Sequence, residues 1–136
     1  MPKSKTIAQE LEAVAVILQK LVRVQSADDN GYCQCVSCGV VKHWKEMQGG
    51  HFISRSKTAT KITRENVHTQ CRRCNAWPDS TTVLSYRDYM IERYGEDFVE
   101  NLREESGKLK KWTREELNLI KENLKKELKN ELSRLC

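Results

Sequence analysis

The chain has 136 residues, of which 38% are hydrophobic and 32% are charged, and its net charge is +5. This length and composition suit one soluble domain, spanning residues 1–136, with a modest core and extended helices. No apolar run approaches the ~20 residues that cross a bilayer, and the start MPKSKTIAQE leads into acidic helical sequence. We therefore expect a cytoplasmic protein without membrane contact.

The first predicted element is an amphipathic helix over residues 6–25. Its apolar residues recur at alternating steps of four and three, which places them on one face of a helix. They are Ile7, Leu11, Val14, Leu18 and Leu21. The turn-forming segment SADDNGY then ends the helix, and the cysteine-rich part of the chain begins.

Two C-x2-C pairs predict a metal site. Cys35 and Cys38 form the first pair, and Cys71 and Cys74 form the second, with 32 residues between the pairs. Each pair supplies two thiolates from one tight turn, so together they complete a tetrahedral zinc site. Four protein ligands leave no open position, so this zinc is expected to be structural. Cys33 remains an alternative to Cys35, and Cys136 is most simply a free thiol.

The segments MQGGHFISR and ENVHTQC, between the two pairs, are predicted to be strands joined by the loop SKTATKITR. The second pair then opens into a helix, so residues 33–94 form a zinc-clamped ββα unit. Residues 96–135 are predicted to form helices, the last of which begins with a capping box of Thr113 and Glu116. Its apolar stripe, Leu117 to Leu135, needs a partner, either the N-terminal helix or the same element of a second subunit.

Positive charge is concentrated in the cysteine-rich segment. Residues 33–75 contain eight Lys or Arg and two acids, a net charge of +6, while the rest of the chain sums to −1. Such a segment suits a polyanionic partner, because neutralised phosphates supply much of the affinity for nucleic acids. A solvated basic surface is the alternative, and charge alone does not separate the two.

The order of these residues resembles a known family. Gly50-His51, Asn66 and Asn75, set among the four paired cysteines, are similar to the pattern of HNH endonucleases with a zinc-binding periphery. More narrowly, GGHFISR and NVHTQCRRCN, followed by a tyrosine-containing helix, resemble the NinG/Rap recombination proteins of lambdoid phages over about residues 33–90. The resemblance implies an α+β, mostly helical fold, in which an HNH or treble-clef-like core is flanked by N- and C-terminal helices.

The resemblance also implies roles for individual residues. His51 is expected to be the base that activates water, and Asn75 to offer an amide oxygen to a catalytic Mg²⁺ or Mn²⁺. Asn66 is expected to orient the loop and backbone around the base. Many HNH enzymes carry Asp where this chain has Gly50.

His68 and Asp79 are the candidate replacements for the missing cation ligand. A residue such as Asp79 or Ser80 near Pro78 more often caps the start of a helix, and His68, on a strand, can point away from the site. Four cations flank the presumed cleft and are expected to hold phosphates: Arg55, Lys57, Arg72 and Arg73.

Three functions follow as expectations. The first is a metal-dependent endonuclease that cuts branched recombination intermediates such as Holliday junctions, acting in a bacterial host as a homodimer paired through its terminal helices. The second is a non-catalytic, zinc-stabilised DNA-binding module, and the third is a structural zinc protein without salt-dependent DNA binding.

Overall fold

The structure is a computed structural model that describes residues 4–135, so the free thiol expected at Cys136 lies outside the described residues. Within this range the α+β class is confirmed, with helices in the majority. The helices are α1 Ile7–Ser26, α2 Arg72–Ala76, α3 Ser80–Tyr94, α4 Glu96–Ser106 and α5 Arg114–Arg134. The strands are β1 Tyr32–Gln34, β2 Val41–His43, β3 Met47–His51 and β4 Val67–Cys71, and short 3-10 turns span Trp44–Glu46 and Arg64–Asn66.

The two long terminal helices pack on each other in parallel. Arg114, at the start of α5, pairs with Glu10 near the start of α1, and Arg134, at its end, donates to the Val24 carbonyl oxygen over 2.9 Å. Their apolar stripes form one core together with Ile62 and Val67. The stripes that suggested pairing between subunits are thus buried inside one chain, as the intramolecular alternative requires.

The helix ends follow the side chains at their boundaries. Thr6 caps α1 and Thr113 caps α5, each in a capping box, so the box predicted at Thr113 and Glu116 is present. Gly95 has φ +90°, and its amide donates to the Ile91 carbonyl oxygen. This left-handed position ends α3 and allows α4 to begin at once.

Two antiparallel hairpins carry the cysteines. Strand β1 pairs with β2, and the turn between them contains Cys35 and Cys38. Strand β3 pairs with β4 in a register that places Gly50 opposite His68 and His51 opposite Val67. The first hairpin was not predicted from the sequence, whereas β3 and β4 lie inside the two segments expected to be strands.

A further apolar cluster joins α3 to α4, with Tyr86, Met90, Val99 and Leu102 at its centre. Tyr86 also reaches back to the second hairpin, where its hydroxyl donates to the Gly50 carbonyl oxygen over 2.7 Å. Among residues 4–135, no helix combines the length and the apolar character that a bilayer-spanning segment requires.

Candidate functional site

Four sulfur atoms meet where the two hairpins come together. The Sγ atoms of Cys35, Cys38, Cys71 and Cys74 all lie within 4.8 Å of one another. The Cys38 and Cys71 sulfurs are 3.8 Å apart, which agrees with the ~3.8 Å edge of a tetrahedron with Zn–S distances of about 2.3 Å. This donor set fits a metal ion such as zinc.

Local backbone geometry presents these sulfurs. In the β1–β2 turn, the amide of Cys38 donates to the Cys35 sulfur, and at the start of α2 the amide of Cys74 donates to the Cys71 sulfur. Such bonds favour the thiolates that bind a metal.

Cys33 is buried in β1 outside this group, and burial raises the pKa of its thiol. The cysteine that pairs with Cys38 is therefore Cys35.

The imidazole of His51 is held in one orientation at the end of β3. Its Nε2 lies 2.8 Å from the Lys61 carbonyl oxygen. A carbonyl oxygen only accepts, so Nε2 carries the proton and Nδ1 keeps a free electron pair. Burial lowers the pKa of this imidazole, and the nearby Arg55 adds to the effect. The ring is therefore neutral at pH 7 and suited to accept a proton at Nδ1.

Asn66 fixes the loop that supplies the Lys61 carbonyl. Its side chain is fully buried. Its amide oxygen accepts from the Ile53 amide at 2.8 Å, and its amide nitrogen donates to the carbonyl oxygens of Ile53 and Thr60 at 3.0 and 3.1 Å. These bonds tie together the two ends of the loop between β3 and β4. Asn66 is therefore positioned to orient the loop, which is the role expected from the sequence.

His51 and Asn75 line the same pocket, which has a volume of about 530 Å³ and lies along the free edge of β3. The pocket lining also includes Gln19, Arg23, Gln48, Gly49, Ser54, Arg55 and Pro78. Asn75 is exposed, and its amide nitrogen donates to the Gln48 side-chain oxygen over 2.7 Å. Arg55 is exposed and forms an ion pair with Glu12 of α1.

The donor set of this pocket fits a divalent cation poorly. Amide oxygens of Asn75 and Gln48 and the hydroxyl of Ser54 are available, but among the described residues no carboxylate lines the pocket, and the guanidiniums of Arg23 and Arg55 do. Mg²⁺ in proteins is usually bound through one or two carboxylates together with substrate phosphates. The protein alone therefore lacks the anionic ligands that such an ion prefers.

His68 lies away from His51. It projects from the other face of the β3–β4 hairpin, into a cleft of about 930 Å³ next to the cysteine group. Its Nδ1 is 3.2 Å from the Tyr86 hydroxyl, and its Nε2 is 2.8 Å from the Tyr94 hydroxyl. Burial, with a smaller effect from Arg93, lowers the pKa of His68 to about 4. Both ring nitrogens are occupied, so the structure does not bring this candidate ligand to the His51 pocket.

Asp79 is the N-cap of α3, where its carboxylate accepts from the amide and the hydroxyl of Thr82 at 2.8 and 3.0 Å. These bonds lower the pKa of the carboxyl. The helix-cap explanation of this residue therefore holds, and Asp79 is not among the residues that line the His51 pocket.

Of the four expected phosphate-binding cations, Arg55 alone lines the His51 pocket. Lys57 is exposed on the loop between β3 and β4, and Arg72 and Arg73 are exposed at the start of α2. All four are accessible to a polyanion.

The part that α1 plays in this pocket was not predicted from the sequence. Gln19 and Arg23 form one wall, and the Arg23 guanidinium donates to the Met47 carbonyl oxygen at the start of β3 over 3.0 Å. Gln48 was also missed. It shares a face of β3 with Gly50 and not with His51, so strand alternation gives no signal that its side chain lines the His51 pocket. The Lys61 carbonyl belongs to the backbone and has no sequence signal.

Comparisons with curated proteins and with solved structures gave no match. The family model described as Bacteriophage Lambda NinG protein matches residues 3–134. Because the match covers nearly the whole chain, this protein belongs to the NinG family.

Proposed function

We propose that this protein hydrolyses phosphodiester bonds in DNA, with branched recombination intermediates such as Holliday junctions or forks as its substrates. The observation that carries the proposal is the orientation of His51, which lines an open pocket and donates its Nε2–H to the Lys61 carbonyl oxygen, so that Nδ1 is left unprotonated. An imidazole held in this way is a general base in its active form.

The proposed reaction uses residues that share this pocket. Water attacks phosphorus and its proton moves to Nδ1 of His51. The P–O bond to the departing end of the DNA strand breaks, and the departing oxygen takes a proton from solvent. Arg55 would leave Glu12 to pair with the phosphate, because its guanidinium is exposed at the rim. A divalent cation, where DNA phosphates complete its ligands, would supply charge stabilisation. We assign no step to it, because the pocket lacks carboxylates among the described residues.

The four-cysteine site has a structural role in this proposal. It joins the β1–β2 turn to the end of β4 and the start of α2. Asn75 follows Cys74 directly, so metal binding would fix the amide that faces the pocket.

The test is cleavage of labelled DNA by wild-type protein and by His51→Ala. A four-way junction, a fork and a linear duplex are incubated with Mg²⁺, with Mn²⁺ and without a divalent ion, and affinity is measured by fluorescence anisotropy. We expect wild type to cut the branched substrates and His51→Ala to bind them but not to cut. His43→Ala is the matched control, since His43 lies on β2 and bonds only the local amide of Lys45. Normal cutting by His51→Ala would remove this residue from the mechanism.

A second candidate function is a zinc-stabilised module that binds branched DNA without cutting it. The poor fit of the pocket to a divalent cation favours it, because Arg23 and Arg55 stand where a hydrolytic ion would need anionic ligands. Under this alternative, wild type binds junctions in every metal condition, and no product forms.

A further inference from the structure

One large aromatic side chain beside the candidate site faces solvent. Trp77 is 67% exposed, the highest exposure among the three tryptophans. The other two are half-buried: Trp44 packs against the cluster that contains the paired cysteines, and the Trp112 indole donates to the Thr58 carbonyl oxygen over 3.0 Å. Leaving an indole in water forgoes a large hydrophobic gain, so the position of Trp77 suits binding better than stability.

The backbone of Trp77 is anchored next to the His51 pocket. It lies between Asn75 and Pro78, and the side chains of both residues line that pocket. Its amide donates to the Arg73 carbonyl oxygen at the end of α2 over 2.9 Å. Helix α2 is itself tied to the cysteine group through Cys71 and Cys74. A ligand that contacts the indole would therefore meet a side chain whose backbone is already anchored, which reduces part of the entropic cost of binding.

The charge around the indole is positive. The guanidinium of Arg72 lies over the ring at 5.8 Å from its centroid, and Arg73 is exposed beside it. From Asn66 to Pro78 the chain contains no acidic residue, and the next residue, Asp79, is engaged as the N-cap of α3. An exposed aromatic face next to two guanidiniums matches a nucleobase that has phosphates on either side, because bases stack on aromatic rings while Arg pairs with phosphate.

We propose that Trp77 and Arg72 form a stacking site for an unpaired nucleobase of branched DNA. Bases inside a duplex are already stacked, and no free base face is available to the indole. At a branch point or in a single-stranded arm, an unstacked base exposes its face and binds there. The site would then distinguish branched from linear DNA while its neighbour Asn75 faces the pocket that contains His51. The inference rests on the proposed function in taking DNA as the partner, but it does not require cleavage.

The test places 2-aminopurine, a fluorescent base quenched by stacking, as an unpaired base at the branch of a fork. Binding is measured without divalent ions, so no product forms. We expect wild type to quench the probe and to bind the fork more tightly than a duplex. Trp77→Ala should lose the quenching and bind the fork on the order of tenfold more weakly, with unchanged duplex affinity, whereas Trp77→Phe should keep part of both effects.

Leu119→Ala is the matched control, because Leu119 is 65% exposed on α5, and it should behave as wild type. Arg72→Gln should weaken fork and duplex binding together, since both carry phosphates. Quenching by Trp77→Ala equal to that of wild type would overturn the proposal. So would a self-association of wild type, seen by sedimentation, that Trp77→Ala abolishes, because it would assign the indole to a contact between copies. Failure of wild type to cut would count against the proposed hydrolysis and leave the quenching result intact.

Discussion

Replacing Asn66 by alanine tests whether the loop between β3 and β4 orients the candidate base. The substitution removes three hydrogen bonds, two to Ile53 and one to Thr60, from a fully buried side chain. Each bond contributes about 1 kcal/mol net, and more where its former partner stays buried without a new one. We therefore expect Asn66→Ala to lower the free energy of unfolding by about 3 kcal/mol, a large part of the ~5–15 kcal/mol that is the total stability of a typical domain.

Urea unfolding followed by circular dichroism measures this loss, and an unchanged m-value would show that both proteins unfold as the same cooperative unit. Because the loop also supplies the Lys61 carbonyl that orients His51, cleavage should fall even where the variant is fully folded. Asn66→Asp sharpens the test, since its carboxylate would face the carbonyl oxygens of Ile53 and Thr60, which raises its pKa.

The raised pKa of Asn66→Asp fixes the sign of its pH dependence. The protonated carboxyl can donate a hydrogen bond to one of these carbonyl oxygens. The stability that Asn66→Asp loses relative to wild type should therefore shrink as the pH falls and grow as the pH rises through that pKa. A loss below about 1 kcal/mol for Asn66→Ala, together with normal cleavage, would refute the role assigned to this side chain.

Three further outcomes are expected. Cys74→Ser should lower the zinc content measured by atomic absorption and destabilise the core, whereas Cys33→Ser, outside the sulfur group, should keep the metal. The rate of cleavage should fall as the pH drops through a value below 6.5, because burial lowers the pKa of His51 and only the neutral ring accepts a proton; a rate independent of pH from 5 to 8 would contradict this. Since the pKa of His68 falls to about 4 in the folded state, the unfolded chain takes up the proton first, and up to about 3 kcal/mol of stability should be lost between pH 6.5 and 4, a loss that His68→Phe should abolish.

The cysteine group and the helices were predictable because local signals specify them. Two cysteines with two residues between them must lie in one tight turn if both thiols are to bind the same metal ion. A threonine followed three residues later by Glu marks the start of α5. Strands β1 and β2 were missed because each has three residues, too few for a period to be visible. The β1–β2 hairpin carries the turn that places the sulfurs of Cys35 and Cys38 near the end of β4.

The candidate site was predictable only in part, because strand parity and long-range packing decide which side chains meet. His68 is paired across the hairpin with Gly50, not with His51. Neighbouring residues on a strand face opposite ways, so His68 and His51 point to different clefts. The contribution of Gln19 depends on how α1 packs across β3, which no pattern within either segment specifies.

The two glycines before His51 have separate physical reasons, and the second leaves no room for a side chain at position 50. A Cβ on Gly49 would lie 2.7 Å from the Gln19 Cα, so this glycine lets the α1 backbone approach β3. A Cβ on Gly50 would lie 1.7 Å from the side-chain oxygen of Gln70, whose amide nitrogen donates to Ser37 in the β1–β2 turn.

An acidic side chain at position 50 would therefore displace the Gln70 side chain and break its hydrogen bond to Ser37, in the turn that holds Cys35 and Cys38. Gly50 and Gln70 form a matched pair that connects β3 to the cysteine group. Under the proposed hydrolysis, charge stabilisation at the phosphate would therefore come from Arg55, from the amide of Asn75 and from cations bound to the DNA.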